Sequence, residues 1–304
     1  MQKSWVELVA EIHPFLGEAV SNFLIEEGSP GVVQEELPGP WHRKKERIIA
    51  YFPNDRHFGV RKRRIQAYLL ALCELYPGSF ILRSRVIKQE KWAEAWKSNF
   101  KPLQVTPRLV IKPPWEKYPE QKGKVIIEID PGMAFGTGTH PSTQMCLQAL
   151  EKLIQSSPHP PSILDVGTGS GILAIAARKL GAQRVLAIDI DPLAISCARK
   201  NAVANDINGG IEFRVGSLES LRRVFDIVVA NLLPQELLGL APSLLRRMSP
   251  TGALIVSGLL REQKKEIALV FAGLGLKVLR SQESKGWACF ILGPKNGRRI
   301  TGGK

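Results

Sequence analysis

The stretch Ser162-Ile163-Leu164-Asp165-Val166-Gly167-Thr168-Gly169-Ser170-Gly171-Ile172-Leu173 limits what this chain can fold into more than any other. An apolar run of strand character passes into three alternating glycines and then into an apolar helix, expected from Ile172 to Leu180. Glycines at a strand-to-helix turn remove the Cβ atoms that would keep a ligand away from the backbone, so the segment predicts a nucleotide-like ligand. A second strand, Val185 to Ile188, runs into Asp189, which stands 189 − 171 = 18 residues beyond Gly171, close to where a carboxylate accepts hydrogen bonds from ribose hydroxyls. Strands and helices alternate from Val125 onward, which implies an α/β fold with a Rossmann-like, doubly wound and largely parallel sheet.

Two ligand classes fit this turn. Gly169-Ser170-Gly171-Ile172-Leu173-Ala174 matches the dinucleotide pattern with alanine in its last position. Against a dinucleotide stands Asp165, two positions before Gly167 at the carboxyl end of its strand. A carboxylate there repels a pyrophosphate but complements the ammonium of a methionine moiety, directly or through water. The residues favour S-adenosylmethionine and leave an NAD(P)-dependent oxidoreductase as the rival.

At about 150 residues per domain, 304 residues predict two domains. Residues 1–90 read in the order βαββαβ: strand Ser4 to Ile12, helix Phe15 to Glu26, strands at Val32-Val33 and Ile48 to Phe52, helix Arg61 to Tyr76, and a short strand from Phe80 to Ile87. That order is ferredoxin-like α+β. Residues 91–122 read as a linker, helical where Trp92, Trp96 and Phe100 recur every fourth residue and then rich in proline. Residues 123–304 form the ligand-binding domain, ending in a tail, Asn296 to Lys304, that reads as unstructured.

Two motifs flank the glycine turn. Asp130-Pro131-Gly132-Met133-Ala134-Phe135-Gly136-Thr137-Gly138-Thr139-His140-Pro141-Ser142-Thr143 is a loop of glycines and hydroxyls that leads into a helix, with amides and hydroxyls able to grip polar ends of a ligand. His140 has no partner at metal-ligand spacing, so it reads as a local hydrogen-bonding residue; no metal site is expected. Asp226-Ile227-Val228-Val229-Ala230-Asn231-Leu232-Leu233-Pro234 is a buried strand ending in Asn231 at the carboxyl edge of the sheet, where open α/β sheets place their sites. Asn231 can accept a hydrogen bond from a nitrogen nucleophile, or it can simply cap the helix that comes after it.

Taken together, these motifs resemble the ribosomal protein L11 methyltransferase family over nearly the whole chain. The likeness runs through Trp92-x-x-x-Trp96, the Asp-Pro-Gly-x-Ala-Phe-Gly-Thr-Gly-x-His-Pro loop, Asp165-x-Gly-x-Gly-Ser-Gly, Asp189-Ile190-Asp191-Pro192 and Asn231. The long loop is the most specific of these, since the glycine turn occurs across class I methyltransferases. The resemblance implies S-adenosylmethionine as cofactor, with contacts from Thr143, Gly167, Asp189 and Asn231. Asp165, Gly169 and Gly171 join that set through the glycine turn, and Phe135 and Gly138 through the long loop. It also implies methylation of lysine side-chain or N-terminal amines of a large-subunit ribosomal protein, recognised by an N-terminal domain that swings about the linker.

Two departures refine this. The chain has Asn231-Leu232-Leu233-Pro234 where many amino-methyltransferases have Asn/Asp-Pro-Pro-Tyr/Phe, so it lacks an aromatic ring to stack on a planar base or amide, which favours an aliphatic amine. After the strand Ile211 to Val215 stand Gly216-Ser217 and no acid, so a contact to adenine there would be a hydroxyl or backbone one. The reaction expected is an in-line displacement on the sulfonium methyl by a neutral amine, with Asn231 orienting the nitrogen. At an unperturbed lysine pKa near 10.4, only about one amine in a thousand is neutral around pH 7.4, an offset of roughly 4 kcal/mol. Desolvation beside the positive sulfonium favours the neutral form, and no His or Glu in these motifs is an obvious general base.

Charge and composition narrow the partners. Lys+Arg 42 against Asp+Glu 28 gives +14, which suits work near the ribosome or RNA and keeps an RNA methyltransferase as a second rival. Basic residues cluster at Trp41-His42-Arg43-Lys44-Lys45 and Arg61-Lys62-Arg63-Arg64. No apolar stretch approaches the roughly 20 residues of a membrane helix, and Glu7 and Glu11 interrupt the start where a signal peptide needs an apolar run, so a cytoplasmic protein is expected. The four scattered cysteines, Cys73, Cys146, Cys197 and Cys289, read as small buried apolar residues in a reducing compartment. Nothing demands more than a monomer.

Overall fold

The computed structural model describes residues 4–29, 32–37, 45–75, 79–88, 100–130 and 138–295. Trp92 and Trp96, the cluster at 41–44, Phe135 and the tail from Asn296 lie outside them. The chain divides into two compact units, Met1–Lys101 with Pro131–Met133, and Pro102–Asp130 with Ala134–Lys304.

In the first unit, β1 (Ser4–Ile12), α1 (Gly17–Glu26), β2 (Val32–Leu37), β3 (Lys45–Pro53), α2 (Phe58–Leu75) and β4 (Ile81–Lys88) succeed one another in that order. The strands form a four-stranded sheet in the order β2-β3-β1-β4, antiparallel throughout. The period-2 alternation of β1 sends Leu8, Ala10 and Ile12 into a core shared with Leu24, Ile48, Phe52, Ile65 and Leu69. Glu7 and Glu11 fall on the other face and meet directly opposed partners: Arg85 Nε donates to Glu7 at 2.6 Å, and Arg47 Nη2 to Glu11 at 3.0 Å. Burial, with Glu7 beside it, pushes the Tyr51 hydroxyl up to about 12. Three members of the basic cluster on α2 are engaged within this unit. Arg61 pairs with Asp55 at 3.0 Å, Arg64 with Glu27 at 2.9 Å, and Lys62 donates to Ser84 Oγ at 2.9 Å.

The second unit begins with a small sheet in the order β5 (Leu103–Gln104), β6 (Leu109–Lys112), β7 (Val125–Glu128), so two of its strands fall within the stretch the sequence presents as linker. Beyond it come α3 (Pro141–Ser156), β8 (Ser162–Val166), α4 (Ile172–Lys179), β9 (Arg184–Asp189), α5 (Pro192–Ala204), β10 (Ile211–Val215), β11 (Phe225–Asn231), α6 (Pro234–Arg247), β12 (Met248–Leu260), α7 (Lys264–Gly273), β13 (Leu276–Ser284) and β14 (Trp287–Pro294). They build a seven-stranded sheet in the order β10-β9-β8-β11-β12-β14-β13, parallel from β10 to β12 and antiparallel at its last two pairings. Consecutive apolar residues on each strand face opposite layers. Ile163, Val229 and Ile255 pack with Leu150, Ala176 and Ala198, whereas Leu164, Val228 and Leu254 pack with Leu237, Ala241, Ile267 and Phe271. This is the doubly wound arrangement expected, and it reverses winding between β8 and β11, where such sheets open a crevice at the strands' carboxyl ends.

Asn201 on α5 and Asn205, the residue that caps its C-terminus, fasten β7 to this frame. Asn205 accepts from the Glu128 amide at 2.9 Å and donates to the Glu128 carbonyl at 2.6 Å, while Asn201 accepts from the Asp130 amide at 3.3 Å. Asn205→Ala leaves both Glu128 backbone groups without these partners and should cost about 2–3 kcal/mol, read as a lower urea midpoint at unchanged slope. Cys146, Cys197 and Cys289 are buried thiols, as expected, whereas Cys73 is only half-buried. Among the described residues no helix is long and apolar enough to cross a membrane.

Candidate active site

The three glycines after β8 all adopt positive φ: +70° at Gly167, +53° at Gly169 and +82° at Gly171. Backbone bonds fix the turn, since the amides of Gly167 and Thr168 both donate to the Ile188 carbonyl at 3.0 Å and that of Gly171 to Thr168 at 2.9 Å. Asn201 Nδ2 donates to the Ser170 carbonyl at 2.8 Å. A Cβ on Gly171 would stand 2.8 Å from the Ala198 Cβ and 3.1 Å from its Cα, whereas one on Gly167 would meet only the end of the Leu232 side chain, Cδ2 at 2.4 Å, so at Gly167 the positive φ is what calls for glycine. The turn is thus clamped between α5 and the segment after β11.

Both carboxylates expected to meet the ligand, Asp165 and Asp189, sit at this turn. Asp189, the last residue of β9, accepts from the Gly169 amide through Oδ2 and from the Asp191 amide through Oδ1, both at 3.0 Å. These two bonds aim the carboxylate across the glycine turn. Asp165 on β8 is fully buried, and its Oδ2 accepts from Thr168 Oγ1 at 2.7 Å. Its Oδ1 has no hydrogen-bond partner among the described residues. Burial pushes this carboxyl up to about 7 and Asp189 adds to the rise, against the Thr168 hydroxyl and the Ala174 amide, which favour the charged form. A buried oxygen left in this state is costly until a donor reaches it, and a cation meets the need better than a neutral donor.

Asn231 ends β11, two residues beyond Val229, the cross-strand partner of Asp165. Its Nδ2 donates to Thr143 Oγ1 at 3.3 Å, and its buried Oδ1 has no partner among the described residues. The helix-capping alternative does not hold. The N-cap of α6 is Leu233, whose amide donates to the Glu236 carboxylate at 3.2 Å. Thr143 lies in the first turn of α3, which is capped by His140: its Nδ1 accepts from the Ser142 amide at 3.3 Å, and the Ser142 hydroxyl lies 2.7 Å from the same nitrogen. The His140 ring packs edge-on against Trp287 at 4.6 Å.

Burial, reinforced by Lys285, pushes His140 down to about 4 from its ordinary 6.5, so it is neutral near pH 7. A depressed native pKa stabilises the fold above 6.5 and loses that contribution as pH falls through about 4. Between pH 6.5 and about pH 5, wild type should lose about 2 kcal/mol more than His140→Gln in urea unfolding.

Gly138, with φ +84°, is buried where a Cβ would press on the side-chain ends of Ile111 at 2.4 Å and Ile172 at 2.9 Å, and its left-handed backbone favours glycine. After β10, Gly216 donates its amide to the Asp189 carbonyl at 2.8 Å, and the Ser217 hydroxyl is engaged by the Glu219 carboxylate. Asp165, Gly167, Gly169, Gly171 and Asp189 therefore converge on one turn, and Thr143 and Asn231 on one hydrogen bond beside it. Thr168 and Asn201 belong to the same turn and carry no mark in the motifs themselves. For Asn201 a signal existed, since it is a polar residue at i, i+4 from Cys197 on the apolar face of α5. Among the described residues no group of three His, Cys, Asp or Glu side chains could hold a metal ion.

Residues 4–295 match the family described as ribosomal protein L11 methyltransferase (PrmA). A ribosomal protein L11 methyltransferase of Pelobacter propionicus is 38% identical over 302 residues, covering 96% of this chain and 98% of its own. One of Pelotomaculum thermopropionicum is 36% identical over 303 residues, covering 93% and 96%. Among solved structures, a ribosomal protein L11 methylase of Lactobacillus delbrueckii subsp. bulgaricus superposes with a TM-score of 0.60 at 36% identity, over 65% of this chain and all of that one.

Proposed function

The chain belongs to the ribosomal protein L11 methyltransferase family, and from that membership we propose that it transfers methyl groups from S-adenosylmethionine to lysine side-chain and N-terminal amines of ribosomal protein L11. The observation that carries this reading is a pair of buried oxygens without hydrogen-bond partners among the described residues, Asp165 Oδ1 and Asn231 Oδ1, on adjacent strands β8 and β11 at the mouth of the crevice. One suits a cation and the other a neutral N–H donor, which are the two nitrogen groups that methyl transfer to an amine must place.

The residues present fit the cofactor. Asp165 would take its ammonium, Asp189 its ribose hydroxyls, and the glycine turn, bare of Cβ atoms, would let backbone approach the ligand. Bound there, S-adenosylmethionine supplies a methyl group on a positively charged sulfur. The protein's own part is positional. Thr143 holds the Asn231 amide nitrogen, which leaves Oδ1 to accept an N–H from the incoming amine and to fix the direction of its lone pair. A cationic neighbour and exclusion of water both favour the neutral amine, so no protein base is required at the moment of transfer. The N-terminal unit is assigned recognition of the protein substrate, and the enzyme is placed in the cytoplasm as a monomer.

Two rivals fare worse. A pyrophosphate would have to lie beside the buried Asp165 carboxyl, and three of the four basic residues on α2 are engaged by neighbours, which weakens the case for RNA. Incubation with isotopically labelled donor, purified ribosomal proteins and total RNA tests the reading. Label is expected in L11; label confined to RNA, or saturable binding of NAD with none of S-adenosylhomocysteine, would overturn it.

A further inference from the structure

Strand β12 bends where it passes the candidate site. Its pairing with β14 shifts register between Val256 and Leu259, and within that bulge Gly258 has φ +84°. The atoms above Gly258 all belong to the backbone of Leu232: a Cβ would stand 2.2 Å from its carbonyl oxygen, 2.9 Å from its carbonyl carbon and 3.1 Å from its nitrogen. The Leu232 amide donates to the Ser257 carbonyl at 3.3 Å. Its side chain reaches the other way, to the 2.4 Å approach at Gly167. Leu232 therefore lies in a slot between two bare Cα atoms, one on β12 and one on the glycine turn.

The residue before Leu232 is Asn231. We propose that Gly258 is a positioning residue for methyl transfer: its missing Cβ lets the Leu232 carbonyl settle on β12, and this sets where the Asn231 amide oxygen stands relative to the glycine turn. The proposal rests on the methyl-transfer reading of the site. A flexible side chain could move aside for a new methyl group, but the Leu232 backbone can yield only by carrying Asn231 with it. The turn that carries Asp165 and Asp189 touches the Leu232 side chain but keeps its hydrogen bonds to the Ile188 carbonyl and from Asn201, which do not run through Leu232.

Gly258→Ala should therefore divide the kinetic parameters. With the amine acceptor that wild type methylates, kcat is expected to fall by about 100-fold, the scale of an ångström-sized misplacement, while the Kd for S-adenosylhomocysteine stays within about threefold. The side-chain amide resonances of Asn231, identified by their loss in Asn231→Ala, should also shift as the bond to Thr143 is disturbed. If Gly258→Ala does not fold, Leu232→Gly carries the test. It slackens the same turn without adding an atom, and kcat should fall about tenfold with S-adenosylhomocysteine still bound. Unchanged kcat in a folded variant, or unmoved Asn231 resonances, overturns the proposal. An inactive wild type refutes the functional reading instead, and the resonance measurement still decides the role of Gly258.

Discussion

Replacing Asn231 with alanine is expected to lower kcat for the amine substrate by about 100-fold or more, while the melting temperature moves by only about 2–4 °C. The two effects separate because the side chain has two ends. Its Nδ2 makes one hydrogen bond, to Thr143, whose loss costs about 1 kcal/mol. Its Oδ1 contributes nothing to the fold among the described residues, since no partner is present, yet it is the acceptor on which orientation of the nucleophile depends. Asn231→Asp keeps an acceptor but adds a charge beside the donor's sulfur, and should fall between wild type and Asn231→Ala. Thermal unfolding and steady-state kinetics on the same preparations make the comparison. Near-normal turnover in Asn231→Ala would remove this residue from the mechanism.

Asp165→Asn is expected to weaken S-adenosylhomocysteine binding by about 100-fold, near the lower end of the loss incurred when one member of a buried, hydrogen-bonded charge pair is neutralised. The same substitution should leave the ligand-free protein no less stable above neutral pH. The Asp165 carboxyl is raised from 3.8 to about 7 by burial, so its contribution is fully present below 3.8 and is lost as pH rises through about 7. Wild type should therefore lose stability relative to Asp165→Asn as pH rises from 3.8 to about 7, with no further loss above that. An ammonium held against Asp165 restores the ionised form, so binding near pH 6 should release a proton and binding near pH 9 should not. Calorimetry in buffers of different ionisation enthalpy reads this directly. Equal affinity for wild type and Asp165→Asn, with no proton release near pH 6, would place the ammonium elsewhere.

Local chemistry made the second unit legible. A strand, three glycines and a helix need only neighbouring residues to declare themselves, and Asp189 and Asn231 stand at strand ends because apolar runs stop there. The N-terminal elements were readable for the same reason, since Glu7 and Glu11 alternate with Val6, Leu8, Ala10 and Ile12. Strands β5 and β6 were not, because two- and four-residue strands among prolines carry too short a pattern. The bond from Asn231 to Thr143 spans 88 residues, and the approach of Leu232 to Gly258 depends on a bulge that no periodicity announces. Capping by Asn231 was a fair local reading of Asn-Leu-Leu-Pro, and it failed because Glu236 meets the Leu233 amide from within the helix.

Methyl transfer to L11 is tested most directly by the intact mass of that ribosomal protein isolated from cells with and without the gene for this chain. Whole-methyl increments on L11 amines are expected to vanish when the gene is removed and to return with wild type but not with Asn231→Ala. L11 of identical mass in every strain would contradict the assignment.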